Sequence, residues 1–178
     1  TPGTAPDSIV HVNPTSGGPD VSYSPLTING TYTPLVGDFD GNGYDDIYWY
    51  APGSAPDVIW RFTGGGSYSP VTTSISGTYR PVVVDANGDG RDDVLWYAPG
   101  AGPDSLWLFG PGATTHTSKA LSITPTYTPV VGPFGVPGPG QPTDRIYFYN
   151  AAGPDLVWSF DTSGSPTATA TPNIDGAY

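Results

Sequence analysis

With 178 residues, 37% of them hydrophobic and 13% aromatic, the chain carries enough apolar material for one domain with a packed core and is not a disordered segment. Its net charge of −11 repels a nucleic-acid backbone or an anionic bilayer and suits divalent cations, so neither nucleic-acid binding nor membrane insertion is expected. The absence of cysteine rules out a disulfide scaffold and thiolate metal sites, and no stretch reads as a signal peptide or a membrane span.

All sixteen acidic residues are Asp, which favours turns, caps and metal loops over helix interiors. No run of apolar residues keeps helical spacing over three turns, so almost no helix is expected. Gly (25) and Pro (22) would signal low complexity if unpatterned, but here they recur at fixed places between strand-like runs.

In chain order, residues 1–29 open on Pro6-Asp7 and predict only two strands, between Asp7 and Ile28. The next unit, 30–76, begins with Gly30-Thr-Tyr-Thr-Pro-Leu-Val36. It predicts four strands, at about 34–38, 47–50, 58–62 and 69–75, separated by Gly, Pro, Asn and Asp turns. The opening returns as Gly77-Thr-Tyr-Arg-Pro-Val-Val83 in unit 77–124 and as Pro125-Thr-Tyr-Thr-Pro-Val-Val131 in unit 125–175; Gly176-Ala-Tyr178 begins another. Pro-Asp recurs before each third strand, at Pro56-Asp57, Pro103-Asp104 and Pro154-Asp155.

Strands two and three carry apolar residues on both faces, as a sheet sandwiched between neighbours does. A four-stranded unit of this length, covered on both sides, is what a β-propeller blade requires. The expected fold is therefore all-β, with about three and a half four-stranded antiparallel blades. A closed ring needs roughly four to eight blades. The expectation is that a longer chain, or a homo-oligomer, completes the ring or builds a fibre.

Two nine-residue loops join strands one and two. The first is Asp38-Phe-Asp40-Gly-Asn42-Gly-Tyr44-Asp45-Asp46 and the second Asp85-Ala-Asn87-Gly-Asp89-Gly-Arg91-Asp92-Asp93. Side-chain oxygens stand at positions 1, 3, 5 and 9, Gly at position 6 permits a sharp turn, and position 7 can offer its backbone carbonyl. Alternating oxygens in a tight loop suit a hard ion taking six or more ligands, calcium before magnesium. An EF-hand would need Glu at position 12, where Trp49 and Trp96 stand instead. Asp, Asn and Gly also form turns without any ion; two such loops at the same phase of a repeat weigh against that plainer reading. In the third unit the segment from Gly132 to Asp144 is four residues longer and lacks carboxylates at positions 1 and 3, so its prolines are expected to stiffen it in place of an ion.

The loop pattern followed by Ile47-Tyr-Trp-Tyr-Ala-Pro-Gly53 resembles the FG-GAP/VCBS repeats, the blades of integrin α-subunit propellers and of many bacterial surface proteins. Tyr50-Ala51-Pro52 and Tyr97-Ala98-Pro99 stand where that family has Gly-Ala-Pro, and Gly-Thr-Tyr replaces its Phe-Gly. The resemblance implies two Ca²⁺ sites. The first would use Asp38, Asp40, Asn42, the Tyr44 carbonyl and Asp46; the second Asp85, Asn87, Asp89, the Arg91 carbonyl and Asp93. Calcium dependence at the weak affinities of extracellular modules, Kd about 10⁻⁴–10⁻³ M, favours a secreted or cell-surface protein.

The expected function is non-catalytic binding or adhesion to an extracellular glycan or protein surface, lectin-like binding included. A structural spacer, a self-assembling subunit and an accessory domain of a secreted hydrolase stay open. Aromatics in strands read first as filling between blades; Tyr23 and Tyr68, expected in loops, are the freer stacking candidates. An enzyme is not expected. Eight Asp sit in the two loops and four in Pro-Asp pairs, Asp20, Asp144, Asp161 and Asp175 lie in no catalytic motif, and His11 and His116 each stand alone. No ligand-binding residue can be named from the sequence.

Overall fold

A computed structural model describes residues 7–15, 18–100, 102–172 and 174. The start of a further unit at 176–178 and the Pro6 of the first Pro-Asp pair lie outside them. The chain is all-β. A hairpin of β1 (Asp7–Thr15) and β2 (Gly18–Leu26) precedes three four-stranded antiparallel sheets. The first sheet is β3 (Thr33–Gly37), β4 (Asp46–Tyr50), β5 (Asp57–Phe62) and β6 (Tyr68–Thr73). The second is β7 (Arg80–Val84), β8 (Asp93–Tyr97), β9 (Asp104–Phe109) and β10 (His116–Leu121). The third is β11 (Thr128–Gly132), β12 (Arg145–Tyr149), β13 (Leu156–Phe160) and β14 (Pro166–Ala170). Each is a meander in chain order, the arrangement of a propeller blade. Among the described residues the strands do not close a ring, and the helical content is one short 3₁₀ turn, Pro111–Ala113.

The expected strands lie within two residues of those observed. Tyr23 and Tyr68 are corrections. Tyr23 pairs with Val10 inside the hairpin, and Tyr68 begins β6 with its ring stacked on Trp60 at 4.3 Å. Turn-forming residues just before each hid both: Gly18-Pro-Asp20 before Tyr23 is already part of β2, and Gly64-Gly-Gly-Ser67 precedes Tyr68.

The sheets pack face to face, and the same repeat positions meet each time. Leu35, Tyr48, Tyr50, Ile59 and Ile75 of the first blade meet Val94, Trp96, Trp107 and Phe109 of the second. Val82, Leu95, Tyr97, Leu106 and Ile123 of the second meet Ile146, Phe148, Trp158 and Phe160 of the third. All five residues of β8, the inner strand of the middle blade, are buried. Tyr48 and Trp96 meet edge to face at 5.4 Å, a geometry worth about 0.5–1.5 kcal/mol beyond burial.

The Pro-Asp pairs are structural anchors. The Asp57 carboxylate accepts the Ala51 N–H at 2.7 Å and the Ile75 N–H at 2.8 Å, tying the end of strand two to the end of strand four. Asp104 does the same for Ala98 and Ile123, and Asp155 for Asn150 and Ile174. All three are buried. Burial pushes the carboxyls of Asp57 and Asp104 up, against the pull of those backbone donors.

Candidate metal centre

Each loop hangs between the first two strands of a blade, so the ladder fixes its two ends. Gly37 pairs with Asp46 across β3 and β4, and Val84 with Asp93 across β7 and β8. Inside the first loop, Asp38 folds the backbone around its own carboxylate. It accepts the N–H groups of Gly41 (2.8 Å), Asn42 (3.0 Å) and Gly43 (2.8 Å). The turn needs Gly43 at φ 87°, a left-handed conformation that other residues rarely adopt. Asp40 accepts the Asn42 N–H at 3.0 Å, and Asn42 Oδ1 accepts the Tyr44 N–H at 2.8 Å.

Asp46 closes the loop from below. Its carboxylate is fully buried and accepts the N–H groups of Asp40 at 3.2 Å and Phe62 at 2.8 Å. Burial first, then the nearby charges of Asp40 and Asp38, pushes its pKa up to about 6 despite those two bonds. Asp38, Asp40 and Asp46 each offer a carboxylate oxygen within 4.8 Å of the others. Among the described residues no cationic side chain pairs with any of the three. Three carboxylates drawn together this way repel one another, and a divalent ion between them would supply the missing charge. The donor set is all oxygen, as a hard ion requires.

The second loop repeats the scaffold. Asp85 accepts the N–H groups of Gly88 (2.7 Å) and Gly90 (3.1 Å), Asn87 that of Asp89 (3.0 Å), and Asp89 that of Arg91 (3.0 Å). Buried Asp93 accepts from Ala86 at 3.1 Å and Phe109 at 2.9 Å, and burial pushes its carboxyl up to about 7. The Arg91 guanidinium, however, forms an ion pair with Asp89 and donates to the Phe109 carbonyl. Among the described residues, three acidic groups converge within that distance in the first loop and not in the second.

Asp45 and Asp92, next to the ninth position, take different places. Asp45 is exposed. Asp92 is half-buried and turns toward the first blade, where its carboxylate accepts the Asp38 N–H at 2.8 Å. Asp144 of the third unit does likewise to Asp85 at 3.3 Å. Sequence reasoning gave neither this role. Lining up the units on Tyr50, Tyr97 and Tyr149 would have shown an Asp at the eighth position in all three. The third unit's ninth position is Arg145, which donates to the Phe134 carbonyl at 2.7 Å. That bond across the loop stands where the other two blades use a carboxylate.

Residues 38–96 match the family model of the FG-GAP-like repeat. The match begins on the first residue of the first loop and ends in the strand that follows the second. No curated protein and no solved structure matches the chain.

Proposed function

Taking as premise that residues 38–96 are an FG-GAP-like repeat, we propose that this chain is a non-catalytic, calcium-binding blade module that works outside the cell, binding a glycan or protein surface. The observation that carries the reading is the convergence of Asp38, Asp40 and Asp46 in a loop whose backbone is already wrapped around them. Asp38, Asp40, Asn42, Asp46 and the Tyr44 carbonyl would hold one ion; Asp85, Asn87, Asp89, Asp93 and the Arg91 carbonyl would hold a second. When bound, calcium would neutralise the buried carboxylates and cross-link the first two strands of its blade. The protein's own part is to pre-form the loop, through the backbone N–H groups that Asp38 and Asp85 gather.

An extracellular setting is supported by this chemistry, because extracellular calcium modules bind at Kd about 10⁻⁴–10⁻³ M, concentrations that calcium-rich surroundings supply. Among the described residues no helix is long and apolar enough to cross a membrane. Binding rather than catalysis is supported by the placement of the carboxylates: those of the Pro-Asp pairs anchor strands, and those of the loops fold the loops. For a glycan, the row of half-buried Tyr32, Trp49 and Trp60 and exposed Tyr68, with successive centroids 6.3, 5.2 and 4.3 Å apart, offers ring faces on the first blade.

A second reading, a subunit of a larger ring or fibre, is favoured by Val130 and Phe134. They are exposed on the third blade, while the corresponding Leu35 and Phe39 of the first are buried under the next sheet. Glycan-array binding with calcium and its loss in EDTA would support the first reading. A calcium-saturated protein that binds no glycan and sediments as a concentration-dependent oligomer would favour the second.

A further inference from the structure

The two loops touch through a side chain that neither needs for its own turn. Asp92 Oδ2 accepts the Asp38 N–H at 2.8 Å, and the Asp92 N–H donates to the Asp38 carbonyl at 2.9 Å. These bonds span 54 positions of sequence and join two blades. Asp38 is the first residue of the first loop, and Asp92 directly precedes Asp93, the ninth residue of the second. Gly37 makes the approach possible: a Cβ there would lie 2.7 Å from Asp92 Oδ2. Where the next blade has Val84 instead, the corresponding bond from Asp85 to Asp144 lengthens to 3.3 Å. The next link would start at Pro133, which has no N–H to give. A second contact runs beside the first, because the stem of Arg91 lies 2.8 Å from where a Cβ on Gly41 would stand.

We propose that Asp92 is a positioning residue that couples the two loops, so that filling the second loop with a divalent ion tightens the first. This rests on the calcium reading above. An ion held by Asp93 and the Arg91 carbonyl fixes the backbone on either side of Asp92. Asp92 in turn fixes both the N–H and the carbonyl of Asp38. The first loop then has less freedom left to lose when its own ion arrives, which is positive coupling by linkage.

The test is a double-mutant cycle read by calcium titration, with the Gly43 amide resonance reporting the first loop. Asp85→Asn, which disables the second loop, is expected to weaken the first about fivefold or more, the lower end of typical coupling. In an Asp92→Ala background the same change is expected to shift the first loop less than about twofold. Asp92→Asn keeps an oxygen to accept the Asp38 N–H and is expected to restore the coupling, which a merely structural role would not require. Gly37→Ala reaches the same contact from the other side and should uncouple the loops even if Asp92→Ala does not fold. Equal effects of Asp85→Asn with and without Asp92, or no effect in either, would overturn the proposal while leaving two calcium sites intact. No calcium response in the wild-type chain at about 10 mM, well above the ~10⁻³ M range of extracellular modules, would remove the calcium reading and the coupling together.

Discussion

The loops 38–46 and 85–93 share a backbone scaffold and differ in their electrostatics. In each, an Asp at position one gathers N–H groups and a buried Asp at position nine ties the loop to strand three. Tyr44 stands at position seven of the first and Arg91 at position seven of the second. Arg91 draws Asp89 into an ion pair, whereas Asp38, Asp40 and Asp46 stay gathered without a cationic partner among the described residues. The backbone fixes where a ligand set can form; the side chains at positions three, five and seven, Asp40, Asn42 and Tyr44 against Asn87, Asp89 and Arg91, decide how much charge it offers an ion. The first loop is therefore expected to be the tighter site.

The comparison can be broken most forcefully at Asp38. Asp38→Ala removes the acceptor of three N–H groups along with a ligand. It is expected to weaken the first site at least about a hundredfold, ~2.7 kcal/mol, while the second site still fills and loosens only by the coupling factor of about fivefold in a calorimetric titration. Next comes pH. Asp46 and Asp93 have folded pKa values raised to about 6 and about 7, above the ordinary value of about 3.9 for an Asp carboxyl. Between about pH 4 and pH 7 the folded state holds more protons than the unfolded one, so without calcium stability should fall as pH rises. Saturating calcium needs the ionised carboxylates and should reverse the trend. Melting curves in EDTA and in calcium across that range check both signs.

A smaller effect separates the loops at position seven. Arg91→Tyr frees Asp89 from an exposed pair worth about 0.2–1 kcal/mol and should tighten the second site up to about fivefold; Tyr44→Arg should loosen the first by a similar factor. Smallest of all, Asp45→Ala is expected to change first-site affinity less than about twofold, because Asp45 is exposed while its counterpart Asp92 is turned into the neighbouring blade. Titrations of the three single variants order these effects.

Much of this was legible in the sequence because it is local. The apolar run Val-Ile-Trp after Pro56-Asp57 marks β5, and Gly43 and Gly90 mark turns that demand a positive φ. Both loops follow from spacing alone. What escaped depends on groups distant in the chain. Asp57 read as part of a turn, yet it reaches Ile75, 18 residues away. Asp92 stands outside both ligand sets in the sequence, and only the packing of two sheets brings it to Asp38. In the third loop, besides the prolines expected to stiffen it, Arg145 bonds across to the Phe134 carbonyl, a contact that no local propensity encodes.

The most direct measurement is the number of calcium ions bound per chain by equilibrium dialysis, on wild type and on Asp38→Ala. The account predicts two in the wild type, the tighter one missing from the variant. A wild-type chain that binds none at saturating calcium, and melts identically in EDTA, would contradict it.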